Sequence, residues 1–161
     1  MFAWAIFVLL LLAFQGSILN PFVIGGIRPD FVLIAVYLFG LFHGDIKGGF
    51  IGAALGFIVD ILSAGPVYYN IFSKFFIGYL GGIIGRWLQN PGYLLHAGLI
   101  FTVSLLQGTG IFLVLMFFGV ARFPGDLVSI AIPQSILDGV LGGIAYLLIT
   151  YRRRETISRW T

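Results

Sequence analysis

Few side chains in this 161-residue chain can do chemistry: nine basic residues, six carboxylates, two histidines and no cysteine. Four charged residues, Asp60, Lys74, Arg86 and Asp138, fall within or close to long apolar runs. A charge at the centre of a bilayer costs about 3 kcal/mol even on the mildest scales, so such side chains should face a bundle interior or water. Two membrane carboxylates invite aspartyl hydrolysis, in which an ionised and a protonated Asp divide the base and acid roles. Asp60 and Asp138 are the pair available for it. A second possibility is structural. Asp60 lies three residues before the outer end of one apolar run and Lys74 about four after the start of the next. Matched depth across the Ser63 to Asn70 turn therefore predicts an Asp60–Lys74 clamp, the alternative being an outward-snorkelling Lys74 and a hydrated Asp60. Asp138 lies nearer mid-membrane.

The hydrolase reading is weak in context. Lipoprotein signal peptidases, of similar length, place their aspartates in Asn-Gly and Asp-Arg contexts. Here the neighbours are Ile58-Val59-Asp60-Ile61 and Ile136-Leu137-Asp138-Gly139. Without cysteine there is no disulfide framework, thiolate ligand or cysteine nucleophile. His43 sits in a turn and His96 near a helix end, with no second histidine at four-residue spacing, so no metal site is expected. Nucleophile-elbow, P-loop, dinucleotide and zinc-protease motifs are absent from the sequence. The residues predict neither an enzyme nor a cofactor.

The elements that must position these charges are membrane helices. Sixty per cent of the chain is apolar and 23 residues are glycine, far from the roughly 25% charged content of a soluble domain. At roughly 20 residues per crossing, the composition predicts an all-α, six-span bundle forming one integral membrane domain. The spans are expected at about 2–19, 29–43, 48–63, 70–88, 93–118 and 127–151. Met1 to Gln15 lacks the basic start of a signal peptide and is read as retained. Asn20, Pro21, Gly25 and Gly26 break the chain after the first span. Arg28-Pro29-Asp30 suits a helix start, with Pro at the first helical position and a carboxylate at the positive end of the dipole. That second helix is short, about 22 Å at 1.5 Å per residue. It would cross only through a thinned bilayer or with its ends buried in protein. A polar turn at His43 to Lys47, then Ala64-Gly65-Pro66 and Gln89-Asn90-Pro91-Gly92, separate the following spans. Pro133 should kink the last one.

Lys47, Arg86, Arg152, Arg153, Arg154 and Arg159 collect on one side, against Arg28 and Arg122 on the other, which predicts cytoplasmic termini. Trp4, Trp87, Tyr93 and Tyr151 at the inner ends agree with an interfacial belt, as do Tyr68 and Tyr69 at an outer turn. Arg86 is expected to snorkel to the inner interface beside Trp87, and Arg152 to Arg154 to rest on anionic lipid. Small residues at four-residue spacing let membrane helices approach closely. Gly48, Gly52 and Gly56 form one such stripe, Gly78 with Gly82 and Gly81 with Gly85 two more, and Gly139 with Gly143 a fourth. Intramolecular packing is the favoured reading of these stripes. Asp60 continues the Gly52, Gly56 spacing, and Gln134, Asp138 and Gly142 are likewise four apart.

Arg28-Pro29-Asp30, Gly48-Gly49-Phe50-Ile51-Gly52, the run from Gly56 to Pro66, Asn70 and Gly78-Tyr79-Leu80-Gly81-Gly82 together carry a resemblance. In these motifs, and in length and basic C-terminus, the chain resembles the rod shape-determining MreD family. One departure is Tyr68-Tyr69, where the family would place a small residue such as glycine. The resemblance implies a non-enzymatic, multi-pass subunit of the elongation machinery in the bacterial cytoplasmic membrane, with no nucleic-acid partner. Such proteins bind the bitopic protein MreC. With it they influence RodA and the class B penicillin-binding protein that make lateral-wall peptidoglycan, in cells that use MreB. The expected mechanism is a partner's single span packed on a small-residue face. Gly52, Gly56, Gly78, Gly81 and Gly82 are candidates for that face, with Arg28, Asp30, Asn70 and the outer turns touching the partner's periplasmic part. The family is also similar in architecture to S-components of energy-coupling factor vitamin transporters. That makes substrate binding at Asn70, Lys74 and Asp60 the alternative function. S-components carry an Ala-x-x-x-Ala motif in the first helix; Ala3, Ala5 and Ala13 lack that spacing.

Overall fold

The computed structural model describes residues 27–63, 68–88, 92–117, 119, 125 and 127–158. The expected first span, the Ala64-Gly65-Pro66 stop, most of the Gln89 turn, Arg122 and Arg159 lie outside the described residues. Within them the fold is all-α: α1 Phe31–His43, α2 Asp45–Ser63, α3 Tyr69–Trp87, α4 Tyr93–Phe117 and, after a π-helical turn Leu127–Ala131, α5 Ile132–Ser158.

α1 is the centre of the molecule. Every residue from Val32 to Gly40 is buried, as befits a helix apolar on all sides. Its 13 residues make it shorter than the span anticipated, because Asp30 caps the helix and Pro29 precedes the cap instead of occupying the first turn. Asp30 Oδ1 accepts the backbone N–H of Leu33 at 2.8 Å, satisfying one donor of the first turn. Protein surrounds the end of this short helix at Asp30. At the other end the expected five-residue turn is Gly44 alone. With φ at 97° it takes a backbone conformation that glycine adopts without a Cβ penalty. Its N–H closes on Gly40 O at 2.8 Å, and α2 begins at once with Asp45 at its positive end.

α2 and α3 form an antiparallel hairpin with the backbones in contact. A Cβ on Gly48 would strike the carbonyl oxygen of Gly78, one on Gly52 that of Lys74, and one on Gly56 that of Asn70. Each step of four residues up α2 thus meets a step of four down α3. α1 lies against the same helix: Gly40 faces Gly78, Gly81 faces Tyr37 O and Gly85 faces Leu41 O. These three helices make one closely packed unit. α4 and α5 make the second, in which Gly139 and Gly143 lie against Ala97 and Gly142 against Ile100.

Pro133 cannot donate a backbone hydrogen bond and its ring crowds the preceding turn. The wider π-helical turn Leu127–Ala131 stands immediately before α5, the kind of local adjustment that re-satisfies freed backbone groups. α5 then continues past Arg152 to Ser158, rather than ending at the arginines.

Polarity is inverted relative to a soluble protein. Phe50, Phe57, Phe72, Phe76, Leu106 and Leu113 are exposed on the exterior, whereas Asp60, Lys74, His96, Ser104, Ser135 and Asp138 are buried. Tyr93–Phe117 and Val128–Arg152, 25 residues each, are long and apolar enough to cross a bilayer.

Candidate functional site

The two helical units meet along a seam with an apolar stretch, where residues such as Leu33, Val36 and Ile77 cluster with Ile100 and Tyr146, and a polar one. At its heart is Lys74 of α3, whose side chain is only 1% exposed. Its Nζ donates to Asp30 Oδ2 at 2.8 Å, to Asn70 Oδ1 at 3.3 Å and to Gln107 Oε1 at 3.4 Å. Gln107 comes from α4 and also donates its Nε2 to Asp30 Oδ2 at 3.0 Å. The backbone carbonyl of Gln107 accepts the hydroxyl of Tyr69. One ion pair is thereby held by groups from both units, which satisfies the donors and acceptors that a buried charge demands.

The expected Asp60–Lys74 clamp is corrected by this geometry. Asp60 instead caps α3: its Oδ1 accepts from Asn70 N at 3.1 Å and Asn70 Nδ2 at 2.9 Å, and its Oδ2 accepts from Ile71 N at 3.1 Å. Asn70 stands between the two, giving its amide N–H to Asp60 and its carbonyl to Lys74. Depth across the hairpin differs from the expectation, because Lys74 packs against Gly52, two turns of α2 before Asp60; the orphan N–H groups at the start of α3 take Asp60 as acceptor, and α1 delivers Asp30 to Lys74 from 44 positions away.

Asp138 of α5 is fully buried. Its Oδ1 accepts the backbone N–H of Asp30 at 2.8 Å and its Oδ2 the hydroxyl of Ser104 at 2.6 Å. Asp138 therefore joins Asp30, whereas the oxygens of Asp60 are taken by the start of α3. The two-aspartate hydrolase arrangement is not what the seam builds. Nearer the His43 end of α1, Tyr37 Oη lies 3.0 Å from His96 Nδ1 and the His96 ring lies 4.0 Å from that of Tyr146. Among the described residues no group of three or more His, Asp or Glu side chains could hold a metal ion.

Other anticipated residues are placed differently. Arg28 is exposed. Gly52, Gly56, Gly78, Gly81 and Gly82 are packed against backbone of the same chain, so the partner face expected at Gly78, Gly81 and Gly82 is corrected: those positions are filled from within. Arg86 is 65% exposed, as a snorkelling side chain should be, and its Nη2 also pairs with Asp45 Oδ2 at 2.6 Å. Asp45 lies at the turn between α1 and α2. The backbone N–H of Ile46 first, and the Arg86 guanidinium after it, hold its carboxyl below the ordinary range.

Sequence reasoning missed Ser104 and Gln107, which complete the seam. Both are polar interruptions of one apolar run at i, i+3 spacing, hence on one helical face, and that pattern was available. The contacts of Tyr37, His96 and Tyr69 were not anticipated either, because they depend on partners in distant segments.

The model of one protein family, rod shape-determining protein MreD, matches residues 1–152. No curated protein and no solved structure matches the chain. A match over nearly the whole chain, on a molecule whose described residues are all-helical with an apolar exterior and with Asp60, Lys74 and Asp138 buried, settles the family: this chain belongs to the MreD family of rod shape-determining membrane proteins.

Proposed function

We propose that the chain is a non-enzymatic scaffold of the bacterial elongation machinery, binding MreC and, through it, helping to regulate lateral-wall peptidoglycan synthesis by RodA and a class B penicillin-binding protein. The observation that carries this reading is the family match over residues 1–152. In the proposed topology residues 2–19 supply a first span to a six-span bundle in the cytoplasmic membrane, with both termini inside. The Asp45–Arg86 pair supports it by bringing the Lys47 and Arg86 ends of α2 and α3 together at one end of the hairpin, opposite Asp60 and Asn70.

Because the glycines of α3 are filled by α1 and α2, the surface proposed for MreC is the lipid-facing exterior and the outer turns, not those glycine stripes. The seam is then the internal brace that keeps this exterior in shape. The test is affinity purification of the tagged full chain from its native membrane in mild detergent, with mass spectrometry of stoichiometric partners. Recovery of a bitopic, coiled-coil, periplasm-facing protein is expected. Recovery of paired ATPases with a transmembrane coupling subunit would overturn the scaffold reading in favour of transport.

A further inference from the structure

The end of the bundle opposite Asp60 and Asn70 carries a surface that the scaffold reading leaves unused. Its fixed point is the Asp45–Arg86 pair, 2.6 Å long, which ties the turn after α1 to the last turn of α3. Asp45 engages the guanidinium through Nη2, yet the Arg86 side chain is still 65% exposed, and a guanidinium has further N–H donors to give. Lys47, in the first turn of α2, is exposed, and neither ion pair among the described residues includes it. α5 brings more charge to the same end. It runs from Asp138, beside Asp30 at the start of α1, to Tyr146, whose ring lies 6.2 Å from that of Phe42 near the end of α1. Arg152 comes about 9 Å further along the helix and is exposed, and Arg153 and Arg154 follow within α5.

Counted along the sequence, this end holds Lys47, Arg86, Arg152, Arg153, Arg154 and Arg159 against Asp45 and Glu155, whereas the other three basic residues of the chain are outnumbered by four carboxylates. The cations stand among large apolar side chains that the protein leaves uncovered. Ile46, Leu88 and Tyr151 are exposed, and Trp87, next to Arg86, is 81% exposed. An acidic peptide or a soluble anion would match the cations and leave these side chains in water. A phospholipid presents its phosphodiester directly above its acyl chains and matches both, because amphipathic side chains favour the level where apolar and wet environments meet.

We propose that this end is a docking surface for anionic phospholipids, in which Arg86 contacts the phosphodiester headgroup beside Trp87. Asp45 acts as a positioning residue that sets the guanidinium in place, and Lys47 and Arg152 extend the basic field around it. Headgroup charge is what the surface selects. A zwitterionic lipid offers the same phosphodiester but adds a cation, which the basic end repels, whereas a polybasic surface draws anionic lipid. The proposal does not depend on which protein the bundle binds.

Trp87 makes the surface measurable. The chain has three tryptophans, Trp4, Trp87 and Trp160, so Trp4→Phe/Trp160→Phe leaves Trp87 as the reporter. The full chain with these two changes is reconstituted in vesicles of phosphatidylcholine and phosphatidylglycerol, with bromine on the upper acyl chain of one lipid or of the other. Brominated phosphatidylglycerol is expected to quench Trp87 more strongly than its mole fraction predicts, and brominated phosphatidylcholine less strongly. Arg86→Gln should lower this preference about fivefold, the weight of one cation at an anionic surface. About 1 M salt, which screens charges beyond about 3 Å, should shrink it in the reporter that keeps Arg86. The salt series needs no change at the surface, so it tests the proposal even where Arg86→Gln fails to fold. Quenching in proportion to mole fraction for both lipids would overturn the proposal. A preference that Arg86→Gln leaves intact would overturn Arg86 as the headgroup contact, and one that salt leaves intact would overturn selection by charge.

Discussion

Replacing Lys74 by methionine tests how much the buried Asp30–Lys74 ion pair stabilises the fold. The substitution keeps an unbranched stem of similar length and removes the ammonium, so Asp30 keeps the Leu33 N–H and Gln107 amide but loses its cation. Breaking a buried pair from one side costs about 3–5 kcal/mol, because the other charge stays desolvated. The Asp30 side chain retains 16% exposure, so Lys74→Met should fall near the lower end, about 3 kcal/mol. Asp30→Asn strands an ammonium that is only 1% exposed and should cost more, about 4–5 kcal/mol. The double variant Asp30→Asn/Lys74→Met removes both charges, and its cost should fall short of the sum by about 2–3 kcal/mol. Reversible unfolding of the four proteins in mixed micelles, followed by circular dichroism, measures the cycle. Additive costs would refute the pairing. Rescue of Lys74→Met by Asp60→Asn to the same extent as by Asp30→Asn would return Asp60 to the role of partner.

Gly52→Ala should destabilise by about 2–3 kcal/mol, since its Cβ overlaps the Lys74 carbonyl oxygen and the helices must separate. Gly98→Ala, with open space around it, should stay within about 0.5 kcal/mol of the parent, and equal effects at the two positions would contradict the packing. Tyr68→Gly should stabilise by about 1 kcal/mol, because Tyr68 has φ at 79°, a left-handed conformation disfavoured for any residue with a Cβ. A loss of stability on the same unfolding assay would refute that. Asp45 is depressed in the folded protein, so its contribution is complete above the ordinary carboxylate value of about 3.9. It disappears as pH falls through the lower folded value. Asp45→Asn should flatten stability in that acid range, and salt should weaken the parent there because Arg86 is largely exposed.

The left-handed Tyr68 connects sequence to structure in an instructive way. A small residue such as glycine was the expectation at Tyr68-Tyr69. The structure supplies the reason, a positive φ at the entry to α3, and adds that the neighbouring Tyr69 is anchored on the Gln107 carbonyl. The glycine stripes were legible for a similar reason. Four-residue spacing puts small residues on one face of a helix wherever that helix lies, and contact between glycine and a neighbouring backbone is what such a face is for, as at Gly48, Gly52 and Gly56. Their neighbours were not legible, and the partner face imagined at Gly78, Gly81 and Gly82 proved to be occupied by Gly48, Tyr37 and Asp45.

Composition and periodicity by themselves determined that this is an all-α membrane protein, and motif order pointed to its family. They also marked Asp60, Lys74 and Asp138 as charges that must find partners, because the penalty for an unpaired charge in hydrocarbon does not depend on the fold. Only the tertiary structure decided which partners. Asp30 reaches Lys74, Gln107 and Asp138 across separations of 44, 77 and 108 residues. Whether two side chains that far apart meet depends on the rotation and register of each helix. In this molecule those are set by where one backbone can lie against another at a glycine, a property of the packed pair and not of either segment alone.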